Sequence, residues 1–512
     1  MGAILETKIT DFSGGMTPNS RSKDTRYCRV LKHFDSLSAG NKLTPYRSHE
    51  SEADGATAGL ALFLSSASKQ YALGWVSSSN QFVKIYERAS IPAGAWTAST
   101  TGESSGGARS ERFFVLYKDS SGNPVIFTAE TNLISSYRPD NAVFNEAGGS
   151  GTGVTQSITY TDIAQGLVHS KDDILYIPYD NKIAKYDAGT PAWTVAALTL
   201  PADTIITCIC EYGNYLAIAA KSKNVGGRST VYLWDRNTSL TTLSEKIDWG
   251  TEILELIEEV EGFLIGISRT AAVSTTIRSK VIFKYYTAQG AKQFLELPFT
   301  SINSGQTAIA PIKQKMNNRL YFMMGAEIDG TAQTGIWSIG RLGDNPFALS
   351  VDRLLNNDTA ITLTNFVALG FQLLGDYMTL AYKITNSTTF VITRTDDTAA
   401  FTASSDYESL IFNAGDSSLK KDLIGITIMT EPLPAGGQVT VGYKKDAETS
   451  FTTILTHDTD DAISDSAVNI ESSGATLPKD YKEIQFQIIS TGNAVVTGFS
   501  FKEEITGKRP YS

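Results

Sequence analysis

The sequence predicts an all-β chain: an irregular β-propeller of about seven blades, with an extended amino-terminal arm before it and an antiparallel β-sandwich after it. Three observations predict this fold class. Pairs of short, alternating strands recur through residues 53–404, and their spacing is that of propeller blades. Near residue 405 the pattern changes to strands that alternate strictly. Residues 1–52 show neither pattern.

The arm, residues 1–52, carries two stretches rich in turn-forming residues, SGGMTPNSR and LSAGNKLTPYR. Its first 50 residues hold 8 Lys and Arg against 5 Asp and Glu, whereas the whole chain has a net charge of −10. A basic arm on an acidic chain is expected to dock on a neighbouring chain or on the chain's own acidic body. The expected interface residues cluster around Cys28 and are Arg21, Lys23, Arg26, Arg29 and Lys32.

The propeller, residues 53–404, is predicted from about seven hairpins. They are QYALGWV with QFVKIYE, RFFVLYK with PVIFTAE, DILYIPY with KIAKYD, NYLAIAA with TVYLWD, GFLIGIS with KVIFKYY, RLYFMMG with GIWSIG, and DYMTLAY with FVITRT. Equivalent positions in five of them, Leu175, Leu216, Leu264, Leu320 and Met378, are 41 to 58 residues apart. Sheets this small cannot bury both faces alone, so we expect them to stack in a closed ring.

The carboxy-terminal domain, residues 405–512, is predicted from the segments DLIGITIM, GQVTVGYKK, FTTILTH, EIQFQII and AVVTGFSFKEE. These segments alternate apolar and polar residues strictly and are joined by turn sequences, which favours an antiparallel sandwich that folds by itself.

Composition excludes several classes of protein. A pI near 5.1 argues against sequence-specific nucleic-acid binding through phosphate contacts. Three cysteines, Cys28, Cys208 and Cys210, are too few for a disulfide framework and are expected to be reduced core residues. No signal peptide and no apolar run of membrane-spanning length is present, so we expect synthesis in a cytoplasm and no membrane span.

Two polar motifs contain catalytic residue types. His169 and Ser170 precede Asp172 and Asp173, but no G-x-S-x-G elbow surrounds the serine, so a polar loop is favoured. A run of glutamates could supply a glycosidic acid and base, although a solvated sheet edge is favoured. These are Glu252, Glu255, Glu258, Glu259 and Glu261.

Metal and phosphate motifs are equally weak. The histidines at positions 33, 49, 169 and 457 lack metal-ligand spacing. A loop with Asp458, Asp460, Asp461 and Asp465 could hold calcium but lacks the glycine of an EF-hand, which leaves calcium an open alternative. GGSGTG at 148–153 lacks the lysine of a phosphate loop, and Trp234-Asp235 is an unrepeated WD pair. We therefore expect no catalytic residue, no cofactor and no metal site.

The opening ITDFSGGMTPNSRSKDTRYCRVLKHFD, followed by NKLTPYRSHE, resembles the amino-terminal segments of virion structural proteins of tailed bacteriophages. The sequence of arm, irregular propeller and added β-domain is similar to the β-propeller tail proteins of short-tailed phages, called nozzle, hub or tail tubular proteins. The motifs cover about the first 50 residues, and the architectural likeness covers most of the chain.

This resemblance implies a non-enzymatic virion protein that forms a homo-oligomeric ring in the tail, through which DNA is ejected. Its partners would be further copies of itself and neighbouring tail or portal-connector proteins. One alternative is a receptor-binding or glycan-binding module at the tail tip, with Trp75, Trp96 or Trp193 stacking on sugars. A carbohydrate-active propeller enzyme is a third possibility.

Overall fold

A computed structural model describes most of the chain, and every regular element in the described part is a β-strand. The described residues are 3–17, 19, 21–47, 50–51, 59–66, 69–76, 81–89, 91, 94–98, 113–130, 133–140, 143–145, 156–224, 226–239, 243–270, 279–299, 309–328, 331–344, 346–355, 366–375, 377–384, 390–395, 404–459, 465–469 and 477–506. Within them, no helix has the length and apolarity needed to cross a membrane.

The chain divides into two compact units. The propeller-like unit comprises residues 49–327 and 361–397, and the terminal unit comprises residues 1–48, 328–360 and 398–512. Each unit is described separately below.

The propeller-like unit is a succession of small antiparallel sheets, which we number in chain order. Sheet 1 contains Gly59–Ser66, Lys69–Val76, Gln81–Arg88 and Thr97–Ala98; sheet 2 contains Phe114–Lys118, Pro124–Glu130, Leu133–Arg138, Val143–Asn145 and Gln156–Ser157; sheet 3 contains Leu167–His169, Ile174–Tyr179, Lys182–Asp187 and Ala192–Thr199.

The remaining sheets of this unit follow the same order. Sheet 4 contains Thr204–Tyr212, Tyr215–Ser222, Ser229–Trp234 and Glu245–Gly250; sheet 5 contains Ile253–Val260, Phe263–Arg269, Ser279–Thr287 and Gly290–Phe299; the pair that we call sheet 6 contains Ile309–Met316 and Arg319–Ile328; sheet 7 contains Phe366–Leu374, Tyr377–Ile384, Phe390–Thr395 and Glu50–Ser51. The last strand of sheet 7 thus comes from residues that precede sheet 1.

The hydrophobic cores of this unit lie between neighbouring sheets. One cluster joins Phe127 of sheet 2 to Leu175 of sheet 3, and a second joins Tyr176 of sheet 3 to Trp234 of sheet 4. A third contains side chains from sheets 7, 1 and 2, among them Leu369, Leu60 and Phe114. First strands of successive sheets also touch in pairs from sheet 4 through sheets 5, 6 and 7 to sheet 1.

The terminal unit contains two larger sheets. One has the order Ile4–Ile9, Val496–Ile505, Lys421–Thr430 and Asp465–Asn469. In the other, strands Thr331–Gly340, Ala348–Leu354, Tyr27–Lys32, Ser405–Ser409, Ile484–Thr491, Gln438–Lys445 and Thr452–His457 are neighbours in that order, and Gly15–Met16 pairs with Tyr27–Lys32. Phe34–Asp35 and Thr44–Pro45 form a separate pair. Phe486 of the larger sheet packs on Phe499 and Phe501 of the smaller one, with ring centroids 5.0 and 4.6 Å away.

The predicted boundaries therefore need correction. Residues 1–52 are not an extended arm, because Ile4–Ile9 pairs with Val496–Ile505 and Tyr27–Lys32 pairs with Ser405–Ser409. Residues 331–354, expected inside the 53–404 propeller, also lie in the terminal unit, so residues 405–512 supply only part of its strands. Local alternation does not reveal pairings between strands hundreds of residues apart.

The DFSGGM motif has a structural explanation in this unit. Gly15 has φ +64, and a Cβ on it would lie 2.7 Å from the Ala348 Cβ and 2.8 Å from the Leu349 nitrogen. A Cβ on Gly14 would lie 2.7 Å from the carbonyl carbon of Arg26. These glycines let three segments of backbone approach closely.

Gly15→Ala should destabilise the terminal unit more than Gly415→Ala does. Gly415 also has a positive φ, +80, but a Cβ there would meet nothing within 4 Å. The positive φ alone costs alanine about 1–2 kcal/mol at either site, and the clash at Gly15 should add about 1–3 kcal/mol. Calorimetry of the full chain measures the difference, and equal unfolding temperatures for the two variants would refute the close-approach argument.

Candidate functional site

The five basic residues expected at an interface mostly have acidic partners within the terminal unit. The Arg26 guanidinium donates to both carboxylate oxygens of Asp24, at 2.9 and 2.6 Å, and this bond lowers the pKa of Asp24. Arg21 donates to Glu483 at 3.0 Å, and the Lys32 Nζ lies 3.9 Å from an Asp406 oxygen. The acidic surface that meets the basic cluster is therefore the chain's own.

The remaining members are Arg29 and Lys23. Arg29 donates to the Thr17 carbonyl oxygen at 3.3 Å, and Lys23 is exposed. Cys28, around which the cluster was expected, is buried, and burial raises the pKa of its thiol. Because Arg21 is 60% exposed despite its ion pair, Arg21 and Lys23 are the two members still available to a partner.

Two carboxyls lie on Ser405–Ser409, the strand that pairs with Tyr27–Lys32. Burial raises the pKa values of Asp406 and Glu408, despite the nearby ammonium groups of Lys32 and Lys444. Gln487 donates its side-chain amide to Asp406 at 3.0 Å, and Lys444 lies 3.9 Å from Glu408. The ammonium groups do not fully offset the cost of burying these charges.

Residues of the KHFD and KLTPYR motifs contact two other stretches of the chain within the terminal unit. His33 has φ 58, and its Nδ1 lies 3.1 Å from the Ser404 carbonyl oxygen while its Nε2 accepts from the Leu354 nitrogen at 3.4 Å. The Tyr46 hydroxyl donates to Asp352 at 3.2 Å, and the Arg353 guanidinium lies 3.9 Å from the Tyr46 ring centroid. These motif residues join three distant stretches of the chain.

The residues of the suspected hydrolytic triad do not form one. His169 is buried, and its Nδ1 accepts from the Lys171 backbone nitrogen at 3.2 Å. The Ser170 hydroxyl donates to Glu211 at 2.7 Å. Asp172 accepts from Arg236 at 2.7 Å and from the Tyr176 hydroxyl at 2.8 Å. Serine and histidine are thus bonded to other groups, and the bonds to Glu211 and Arg236 connect sheet 3 with sheet 4.

Polar bonds of this kind recur between neighbouring sheets, and they were not predicted. They connect Lys118 with Asp173, Ser170 with Glu211, Tyr286 with Glu245, Lys315 with Glu259, Gln314 with the Leu373 backbone, and Arg88 with Thr379. The bond from Tyr286 to Glu245 raises the pKa of Tyr286 to about 12. No local sequence signal identifies such pairs, because each joins residues of two different hairpins.

Lys313 makes the densest of these connections. Its ammonium donates to the carbonyl oxygens of Ile209 in sheet 4 and Ile257 in sheet 5, at 2.9 and 2.6 Å, and lies 2.7 Å from a Glu258 carboxylate oxygen. Its side chain is 14% exposed. Burial opposes its charge, but the surrounding negative groups outweigh that effect and raise the pKa of Lys313. One side chain of sheet 6 therefore joins three sheets.

Four of the five glutamates considered as acid and base have a cation beside them. Glu252 lies 2.9 Å from Lys284, Glu255 lies 2.8 Å from Arg269, Glu258 binds Lys313, and Glu259 binds Lys315. These four carboxylates are therefore engaged in ion pairs within or between sheets.

Several of the other candidates fall outside the described residues. Of the calcium loop, Asp460 and Asp461 are not described, nor are GGSGTG at 148–153 and His49. In the part of the chain that is described, no three His, Cys, Asp or Glu side chains are grouped as metal ligands.

Trp96 is 4% exposed with the Arg88 guanidinium 4.7 Å from its ring, and Trp193 packs against Tyr186 at 5.0 Å. The Trp75 side chain is not described. Trp96 is therefore not presented for stacking on sugars, whereas Trp193 is half-buried.

Lys313→Met should destabilise the propeller-like unit by about 3 kcal/mol, because it leaves the Glu258 carboxylate buried without its cation. Lys315→Met is the matched control: Lys315 also pairs with a glutamate of sheet 5 but is 37% exposed, so its loss should cost less than about 1 kcal/mol. Adding Glu258→Gln to Lys313→Met should recover part of the loss. Denaturant unfolding tests this, and equal effects of the two lysine variants would contradict the role of Lys313.

The contribution of Asp406 and Glu408 to the stability of the terminal unit should decrease as the pH rises. A carboxyl whose folded pKa is raised stabilises the fold most below its ordinary pKa, near 4, and loses that contribution as pH rises through the folded value. In Asp406→Asn with Glu408→Gln, the unfolding temperature should therefore fall less between pH 4 and pH 7 than in the unmodified chain. Glu431→Gln, at an exposed pair with Lys42, is the control. An unchanged pH slope in the double variant would contradict the assignment.

Comparisons with known proteins show no family for this chain. No protein-family description and no curated protein sequence matches it. Among solved structures it is similar to the β-propeller domain of the Trilobed protease from Pyrococcus furiosus, described as having an open velcro topology. That similarity has a TM-score of 0.37 at 8% identity and covers 66% of this chain and 96% of the other. A similarity at this level supports no inference about this chain. The propeller-like description is based on the succession of small antiparallel sheets in the chain itself.

Proposed function

We propose that this chain is a structural component of a tailed-bacteriophage virion, in which copies form a ring in the tail around the path of the ejected DNA. The observation that supports this proposal is the structural role of the three motifs that give the chain its resemblance to phage virion proteins. DFSGGM, KHFD and KLTPYR hold the segments of the terminal unit together, as a shared architectural motif would. The neighbours in the particle would be tail or portal-connector proteins.

We propose further that the seven sheets close into a propeller ring. Two kinds of contact between the last sheet and the first support closure. Glu50–Ser51, which precedes sheet 1, is the outer strand of sheet 7, where it pairs with Phe390–Thr395. Buried Arg88 of sheet 1 donates to the Thr379 hydroxyl of sheet 7 at 2.7 Å, and Gln70 donates to Gln372 at 2.6 Å.

A mechanical role is supported by how the polar groups are used. The residue types that first suggested chemistry, at His169, Ser170 and the glutamates 252 to 259, take part in bonds within or between sheets. Such bonds resist relative movement of neighbouring sheets. A net charge of −10 would also suit the wall of a DNA conduit, since like charge prevents the nucleic acid from binding.

Oligomerisation and particle incorporation test this function. The purified full-length chain should form a ring with one fixed copy number above two in native mass spectrometry, and cryo-electron microscopy of the particle should place it in the tail. Lys23→Glu should reduce incorporation without changing the unfolding temperature, because Lys23 is exposed in the cluster expected to meet a partner. Lys292→Glu, at an exposed lysine of the propeller-like unit, should have no effect.

A chain that does not form rings and is absent from particles would contradict the proposed function. Equal incorporation of the two lysine variants would leave the ring in place but remove the docking role of the basic cluster.

A further inference from the structure

The first strand of the terminal unit, Ile4–Ile9, lies at the edge of its sheet. It pairs on one side with Val496–Ile505, and among the described strands none pairs with its other side. Its register runs without a bulge from Ile4 opposite Glu504 to Ile9 opposite Phe499, and the strand contains no proline. Bulges and prolines are common means of protecting an edge strand from other chains, and both are missing here.

The backbone groups that face outward can be assigned. The Ile505 nitrogen donates to the Ala3 carbonyl oxygen at 3.0 Å. Because bonded and non-bonded pairs alternate in an antiparallel ladder, Leu5, Thr7 and Ile9 bond inward like Ala3. Ile4, Glu6 and Lys8 therefore direct their N–H and C=O groups outward.

Four side chains of this strand are exposed, those of Ile4, Leu5, Glu6 and Lys8, whereas Thr7 is half-buried and Ile9 is buried. Ile4 is 62% and Leu5 37% exposed, two of the four large apolar side chains exposed in the described part of the chain. Glu6 and Lys8 lie on the opposite face from Leu5 and are 3.6 Å apart. The strand thus offers outward hydrogen-bonding groups, apolar surface and one charge of each sign.

We propose that Ile4–Ile9 pairs antiparallel with the same strand of a second copy of this chain, about a twofold axis at Thr7. In this register, Glu6 of each copy lies opposite Lys8 of the other, and the two residues exchange their outward hydrogen bonds. Two neighbouring registers, each shifted by two residues, also place outward hydrogen-bonding groups opposite one another. They bring Glu6 opposite Glu6 or Lys8 opposite Lys8, where like charges repel. The charges of Glu6 and Lys8 therefore favour the register centred on Thr7 over these two registers.

The contact is expected to be weak. One pair of short strands buries less than the roughly 1,200 Å² typical of stable complexes, so dissociation in the micromolar range or above is expected. The pairing is independent of the proposed tail ring, because a twofold contact is complete with two copies and cannot build a larger ring.

Cysteine cross-linking tests the register. Thr7 faces itself across the axis in a non-bonded pair, where Cα atoms are about 4.5 Å apart, within the range of a disulfide. Thr7→Cys should form a cross-linked dimer under mild oxidation. Leu5→Cys lies on the same face, but its two copies would be about 14 Å apart along the strands and should not cross-link. The three native cysteines are buried and do not interfere.

Sedimentation of the full-length chain tests the hydrogen bonds and charges. Glu6→Pro removes an outward N–H that the bond to Val496–Ile505 does not use, so it should raise the dimer Kd by at least about tenfold at unchanged unfolding temperature. Thr7→Pro removes an inward N–H and should lower the unfolding temperature instead. Glu6→Lys should abolish the dimer, and adding Lys8→Glu should restore it.

Failure to cross-link at residue 7, or a dimer insensitive to Glu6→Pro and Glu6→Lys, would overturn the proposal. So would a chain that sediments as a monomer up to millimolar concentration. Rings of more than two copies that survive Glu6→Pro would support the proposed function whatever the outcome for this strand.

Discussion

Burial between neighbouring sheets is the constraint on which the propeller-like unit depends. A sheet of four short strands has two faces and too little surface to fold back on itself, so its apolar side chains can only be buried by the next sheet. Phe127 and Leu175, or Tyr176 and Trp234, belong to one cluster only because their sheets are consecutive in the chain. The order of the sheets in space follows from their order in the sequence.

Polar bonds between the sheets add specificity to this burial. Apolar faces tolerate sliding, whereas a bond such as that from Ser170 to Glu211 exists in a single register. Lys313 is the strongest case, since its ammonium requires three acceptors from two other sheets at once. A charge buried in this way contributes little net stability, but it disfavours every arrangement that leaves it without acceptors.

The sequence was informative where structure is local. Alternation predicted the hairpins of sheets 3, 4 and 5 because both strands of a hairpin, such as Ile174–Tyr179 and Lys182–Asp187, are adjacent in the chain. It could not predict that Ile4–Ile9 belongs beside Val496–Ile505, since a single edge strand carries no signal of its partner. The sequence could not predict the acidic partners of Arg21 and Lys32, because Glu483 and Asp406 lie over 370 residues away from them in sequence.

The terminal unit has a consequence for how the chain is made. Its first strand, Ile4–Ile9, is synthesised before the strand that bonds it, Val496–Ile505, which lies about 490 residues further along the chain. At about 5–20 residues per second, the interval is roughly half a minute or longer. During that time the sheets of the propeller-like unit can form, while the terminal unit remains incomplete. A chain that stops before Val496–Ile505 therefore carries an unpaired strand and an unfinished unit, which favours its proteolysis or its binding by chaperones.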